Sequence, residues 1–123
     1  MVLVDTSAFI RLLRGERFQS LEVLIVSGHV KLSQTVLLEL VQGVRKTETR
    51  ALERFLDVLG DPLPWPRLRT CKTILSSSRM SGIRVGVPDV MILADAIDHS
   101  CRLMTLDNTL RRLAEKAKVP LIY

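Results

Sequence analysis

Aromatic side chains are nearly missing from this chain, which has only Phe9, Phe18, Phe55, Trp65 and Tyr123 in 123 residues. So few rings argue against an RNA-stacking platform, which interleaves aromatic and basic residues along its strands. Cysteine is scarce as well. Cys71 and Cys101 stand apart, without CxxC spacing or a Cys/His cluster, so the pattern of a zinc site is absent. They read as reduced thiols packed in the interior. No apolar run approaches the ~18 residues of a membrane span. The start, Met-Val-Leu-Val-Asp5, lacks the basic region of a signal peptide. A cytoplasmic protein with no membrane association is therefore expected. His29 and His99 accompany no nucleophile motif, which leaves Ser-His and Cys-His mechanisms without support.

What is present is basic and apolar. Eighteen Lys and Arg outweigh 13 Asp and Glu for a net charge of +5. The isoelectric point of about 9.8 points to a polyanionic partner, whether nucleic acid or acidic protein. An apolar content of 47% excludes an intrinsically disordered chain. The length fits one domain, 1–123, large enough to bury roughly 65–70% of its unfolded surface without a staple. A mean hydropathy of +0.23 predicts apolar surface that a partner covers.

Along the chain, strands alternate with helices. Val2–Val4 reads as a strand passing at Asp5-Thr6-Ser7 directly into a helix that stops near Gly15. Phe18–Ser27 reads as a helix ended by Gly28, and Val30–Leu32 as a strand. Ser33 opens a helix whose Leu37, Leu40, Val41 and Val44 recur at i, i+3, i+4, i+7. Thr47–Leu59 continues as a helix, with Arg50, Glu53, Arg54 and Asp57 spaced for surface ion pairs. Gly60–Pro66, with three prolines, is a loop with one extended edge segment. Arg67–Ser81 is a long helix closed by Gly82, and Pro88 opens another. Arg102–Leu106, Asn108–Lys118 and Val119–Ile122 read as strand, helix and short strand. This alternation predicts an α/β fold around a mainly parallel sheet flanked by helices.

Four acids stand out. Asp5 and Asp107 fall where predicted strands end, and Asp89 lies in the first turn of a helix starting at the same edge. Glu39 sits inside an apolar helical stretch, where a carboxylate needs a cationic partner or a metal. Four carboxylates converging on one edge repel unless a cation lies among them. Oxygen-only donors suit Mg²⁺ or Mn²⁺ rather than zinc. Such an ion activates water and stabilises a phosphodiester under in-line attack. Taken singly, Asp5, Asp89 and Asp107 are better read as helix caps, and Glu39 equally well as half of a salt bridge. Asp95 and Asp98 lie about 240° and 180° around the helix from Asp89, on faces expected to meet solvent or a partner.

These residues carry a resemblance. Val-Leu-Val-Asp5-Thr6-Ser7, Ser33 through Glu39-Leu40 to Gly43, Pro88-Asp89-Val-Met-Ile92-Leu-Ala94-Asp-Ala96 and Leu103-Met-Thr105-Leu-Asp107 stand in the order of a PIN-domain ribonuclease. The resemblance covers essentially the whole chain, and the size is similar to VapC toxins of type II toxin–antitoxin pairs. It implies a PIN fold and an Mg²⁺-dependent endoribonuclease, with Mn²⁺ as a substitute. It also implies Asp5, Glu39, Asp89 and Asp107 as the catalytic, metal-binding quartet. Cleavage would leave a 3′-hydroxyl and a 5′-phosphate. The implied partners are an RNA substrate, a VapB-like antitoxin that commonly covers the active-site groove, and a second copy in a homodimer.

Thr6 and Thr105 match small hydroxyl positions, with capping and turn bonds as the more ordinary role. The chain departs from the family at Leu93, where a small residue is common. Thr109 and Leu110 stand where many relatives carry an acid and a Phe, so one ligand position is absent and one or two metals stay open. Setting the quartet aside leaves 18 basic side chains against 9 of the 13 acidic ones. Arg11, Arg14, Arg17, Arg84, Arg111 and Arg112 are candidates for a basic rim along which a phosphate backbone approaches. A solvated helix face explains any one of them as well. The alternative of another class is a non-catalytic PIN-like module that binds RNA or a regulator. A phosphate-accepting receiver domain fits poorly, since Asp5 stands alone and Val119–Ile122 holds no Lys.

Overall fold

The computed structural model describes residues 1–122; Tyr123, the end of the chain, lies outside the described residues. In chain order the elements are β1 (Val2–Val4), α1 (Thr6–Leu13), α2 (Gln19–Val26), β2 (Val30–Lys31) and α3 (Gln34–Gly43). After them come a 3₁₀ turn (Lys46–Glu48), α4 (Thr49–Leu59), α5 (Leu68–Met80), α6 (Val87–Asp98), β3 (Arg102–Met104) and α7 (Asn108–Lys116). The three strands form one parallel sheet in the order β2-β1-β3, with Val2 opposite both Val30 and Arg102. Every residue of β1 is fully buried. Because successive strand side chains point to opposite faces, both faces of the central strand are covered. The expected α/β architecture holds.

Prolines explain where the strands fall short of expectation. The loop after α4 meets the sheet edge through one bond, Leu63 N–H to the Leu32 carbonyl at 2.8 Å. Pro62 and Pro64 on either side have no N–H to extend the ladder. Val119–Ile122 likewise shrinks to a single parallel bridge, Leu103 with Leu121, because Pro120 interrupts the donors. Gly28 and Gly82 close α2 and α5 at φ of +75° and +67°, which only glycine adopts without strain.

Core packing follows the apolar pattern with exceptions. Leu40 and Leu52 are buried, but Val41, expected inside, is 57% exposed. The ion pairs expected among Arg50, Glu53, Arg54 and Asp57 do not form among the described residues. Leu93 and Leu110, both departures from the family pattern, are fully buried core residues. Cys71 and Cys101 are free thiols, half-buried and buried.

The largest correction concerns α6. It contacts α3, α5, α7 and β3, so the faces expected to meet solvent or a partner are covered by the chain's own elements. Asp95 is 1% exposed. Asp98 is held by α5 and the residue before it. It accepts the Arg67 N–H at 2.7 Å, the Arg67 guanidinium at 3.1 and 3.2 Å, and the Thr70 hydroxyl at 2.6 Å. These bonds keep the Asp98 carboxyl below its usual pKa despite the opposing effect of burial.

At the start of α3, the buried Ser33 hydroxyl accepts the Val36 N–H at 3.0 Å and fixes the helix that carries Glu39. Ser33→Ala is expected to lower stability by about 1 kcal/mol in urea unfolding. An unchanged midpoint would mean that α3 is set by packing alone.

Candidate active site

Strand β1 ends by handing Asp5 to α1, and β3 ends alongside it. The Asp5 N–H donates to the Met104 carbonyl at 2.9 Å, which extends the strand pairing up to Asp5. Although Asp5 occupies the N-cap position of α1, its side chain does not cap the helix. It is buried, and its Oδ2 accepts the Thr105 hydroxyl at 2.7 Å and the Ser7 hydroxyl at 3.0 Å. Each hydroxyl in turn accepts a backbone N–H from the turn after β3. Thr105 Oγ1 takes that of Asp107 at 3.0 Å, and Ser7 Oγ takes that of Leu106 at 3.0 Å. Two relays therefore lock the turn bearing Asp107 to the carboxylate at the end of β1.

Ser7 was not singled out by sequence reasoning. An Asp-x-Ser pair at a strand-to-helix junction is the signal that could have found it, since the i+2 hydroxyl there can reach the carboxylate, as Ser7 reaches Asp5 Oδ2. Thr105, assigned mainly to turn bonding, does accept a turn N–H, and it also binds Asp5. Thr6 donates to Glu39 Oε1 at 2.6 Å, so α1 orients the α3 carboxylate. No salt bridge holds Glu39 among the described residues.

Asp89 lies in the first turn of α6, half-buried, with Pro88 just ahead of it. Burial, followed by the charges of Asp107, Asp5 and Glu39, raises its pKa to about 6. Those three influences mean that all four acids share one neighbourhood at the carboxyl ends of the strands. Asp107 is exposed and does cap α7, its Oδ1 accepting the Leu110 N–H at 2.9 Å.

The four are near one another without forming a cage. Among the described residues no group of three or more His, Cys, Asp or Glu side chains is arranged to hold a metal ion directly. This donor set still fits Mg²⁺. That ion keeps several of its waters and takes only one or two protein carboxylates, whereas a structural zinc site needs a closed tetrahedron.

The expected basic rim is thinner than the sequence suggested. Arg11 pairs with Glu16 at 3.1 Å and lies over the Phe18 ring, and Arg14 reaches Glu48 at 3.9 Å. Arg17, Arg84 and Arg112 are exposed. Arg111 Nε donates to the Thr105 carbonyl at 3.0 Å, which fixes its guanidinium group beside the Asp5–Thr105 pair.

Removing the Ser7 hydroxyl separates the two relays. Ser7→Ala is expected to cost about 1–2 kcal/mol and to speed amide exchange at Leu106 while α4 is unaffected. Hydrogen–deuterium exchange reads this directly, and an unchanged Leu106 rate would rule out the relay.

Comparison with known proteins now bears on this geometry. A family model described as PIN domain matches residues 2–116. No curated protein matches the chain. Among solved structures, FitAcB from Neisseria gonorrhoeae is similar at 22% identity and a TM-score of 0.76, covering 100% of this chain and 97% of that one. FitAB bound to the IR36 DNA fragment is similar at 25% identity and a TM-score of 0.77, over 99% and 94% of the two chains. VapBC2 from Rickettsia felis, bound to a DNA fragment from its promoter, is similar at 21% identity and a TM-score of 0.76, over 99% and 96%.

Proposed function

The chain belongs to the PIN domain family, and on that premise we propose that it is the toxin of a type II toxin–antitoxin pair, a divalent-metal-dependent endoribonuclease. The observation that carries this reading is the gathering of four acids at one edge of the sheet, where burial and then the charges of Asp107, Asp5 and Glu39 raise the Asp89 carboxyl. A protein that gathers four acids at the end of a parallel sheet bears a standing electrostatic cost, which a cation offsets. Asp5, Glu39, Asp89 and Asp107 would hold Mg²⁺ or Mn²⁺, in part through water. When bound, the ion supplies an activated water and neutralises charge on the phosphodiester under attack.

The chain's own residues then have separable tasks. Ser7 and Thr105 fix Asp5, Thr6 fixes Glu39, and the α7 cap fixes Asp107. Exposed Arg17, Arg84 and Arg112, with Arg111 at the site, attract and seat the phosphate backbone. The products would be a 3′-hydroxyl and a 5′-phosphate.

A two-component system is supported by the FitAB and VapBC2 neighbours. A VapB-like antitoxin and a second copy of the chain are its proposed partners. Exposed Val26 and Met80, at 88% and 90%, belong to the apolar surface such partners would cover. No helix of the described residues is long and apolar enough to cross a membrane. A single PIN domain over 1–123 acting in the cytoplasm completes the reading. The absence of a preformed cage favours one alternative, a non-catalytic PIN-like module that binds RNA without turnover.

Asp5→Asn and Asp89→Asn test the choice. Each is expected to lower Mg²⁺-dependent cleavage of RNA by about two orders of magnitude or more, beyond the loss typical of outer-shell changes. Asp89→Asn should at the same time raise the melting temperature of the metal-free protein, because it removes the repelled charge. Undiminished, chelator-sensitive cleavage in either variant would remove that residue from the site. RNA binding without cleavage by the wild type would establish the alternative.

A further inference from the structure

Among the described residues, Asp95 has the only buried side-chain carboxyl in which neither oxygen finds a hydrogen bond. It is 1% exposed and sits in the last turn of α6, six residues on from Asp89. A lone ionised carboxylate at such a position is strongly disfavoured. Its surroundings offer little relief. Asp98, one turn on along the same helix, already takes Arg67 and Thr70 of the neighbouring segment. From α5, Cys71 faces both carboxylates, and its thiol is pushed up by burial and then by their charges. Cys101, beyond the end of α6, also feels Asp95, together with Lys31 and the N-terminal amine. Among the described residues the one basic side chain within 4.0 Å is that of His99, whose Nε2 lies 4.0 Å from Asp95 Oδ1.

We propose that Asp95 makes the α5–α6 interface pH-responsive: it is packed as a neutral acid, and it can ionise only if the Asp95–His99 turn moves to bring the carboxylate to a protonated His99 or to water. Once the Asp95 proton leaves, Asp95 and Asp98 are both charged three residues apart, and Arg67 is already taken by Asp98. Burial, with Asp98 adding to it, raises the Asp95 carboxyl to about 7. The folded protein therefore keeps a proton that the unfolded chain has released by about pH 4. Stability is consequently lost as pH rises from about 4 through 7, the reverse of the usual salt-bridged acid. Because α6 also carries Asp89, the same movement reaches the helix that enters the site. This inference is independent of the proposed cleavage of RNA.

The test compares the folding equilibrium constants of wild type and Asp95→Asn by urea unfolding between about pH 5 and about pH 8.5. The ratio of wild type to variant is expected to fall about tenfold or more across that range. A ratio constant within about twofold would overturn the proposal. Should the variant fail to fold, carbon-13 NMR of the wild-type Asp95 carboxyl decides. A midpoint above about 5.5 upholds the neutral acid, and one below it overturns the proposal.

Discussion

Repulsion among carboxylates crowded at the carboxyl ends of β1 and β3 is the constraint around which the chemistry of this fold is arranged. A parallel sheet brings its strand ends to one edge, and helix N-termini begin there, so Asp5, Asp89 and Asp107 arrive together as a consequence of topology. Holding them there needs more than topology. Two hydroxyls, Ser7 and Thr105, converge on Asp5 Oδ2, and a third, Thr6, binds Glu39. These bonds orient the acids without neutralising them. Asp89, which has no such fixed donor among the described bonds, has its pKa raised by burial and then by the charges of the other three acids.

Much of this was legible in the chain of letters. Strand ends followed by an acid, the Ser33 cap and the glycines after α2 and α5 are local signals, and local chemistry decides them. What escaped depended on neighbours distant in sequence. Ser7 gains its meaning from a turn 99 residues away, through Leu106. Helical angle alone puts Asp95 on a face expected to meet solvent or a partner, but α6 is packed on several sides and Asp95 is buried by them. Pro120 left a strand as a bridge because one missing N–H matters most in a segment only a few residues long.

The charge excess also acquires an internal structure. Two of the six rim candidates, Arg11 and Arg14, are occupied by Glu16 and Glu48, and Arg67 serves Asp98. Arg17, Arg84 and Arg112 stay exposed, and Arg111 binds the Thr105 carbonyl beside the acidic centre. Of the two buried or half-buried acids with raised pKa values, Asp89 is raised by burial and then by the charges of Asp107, Asp5 and Glu39, and Asp95 by burial and then by Asp98. Only the first belongs to the proposed site.

The central claim is that the four carboxylates await a cation, and the Asp89 carboxyl reports on it. Carbon-13 NMR titration of that carboxyl with and without Mg²⁺ measures this directly. A midpoint near 6 without metal that falls when Mg²⁺ is added is the predicted result. A midpoint that Mg²⁺ leaves unmoved would contradict the account.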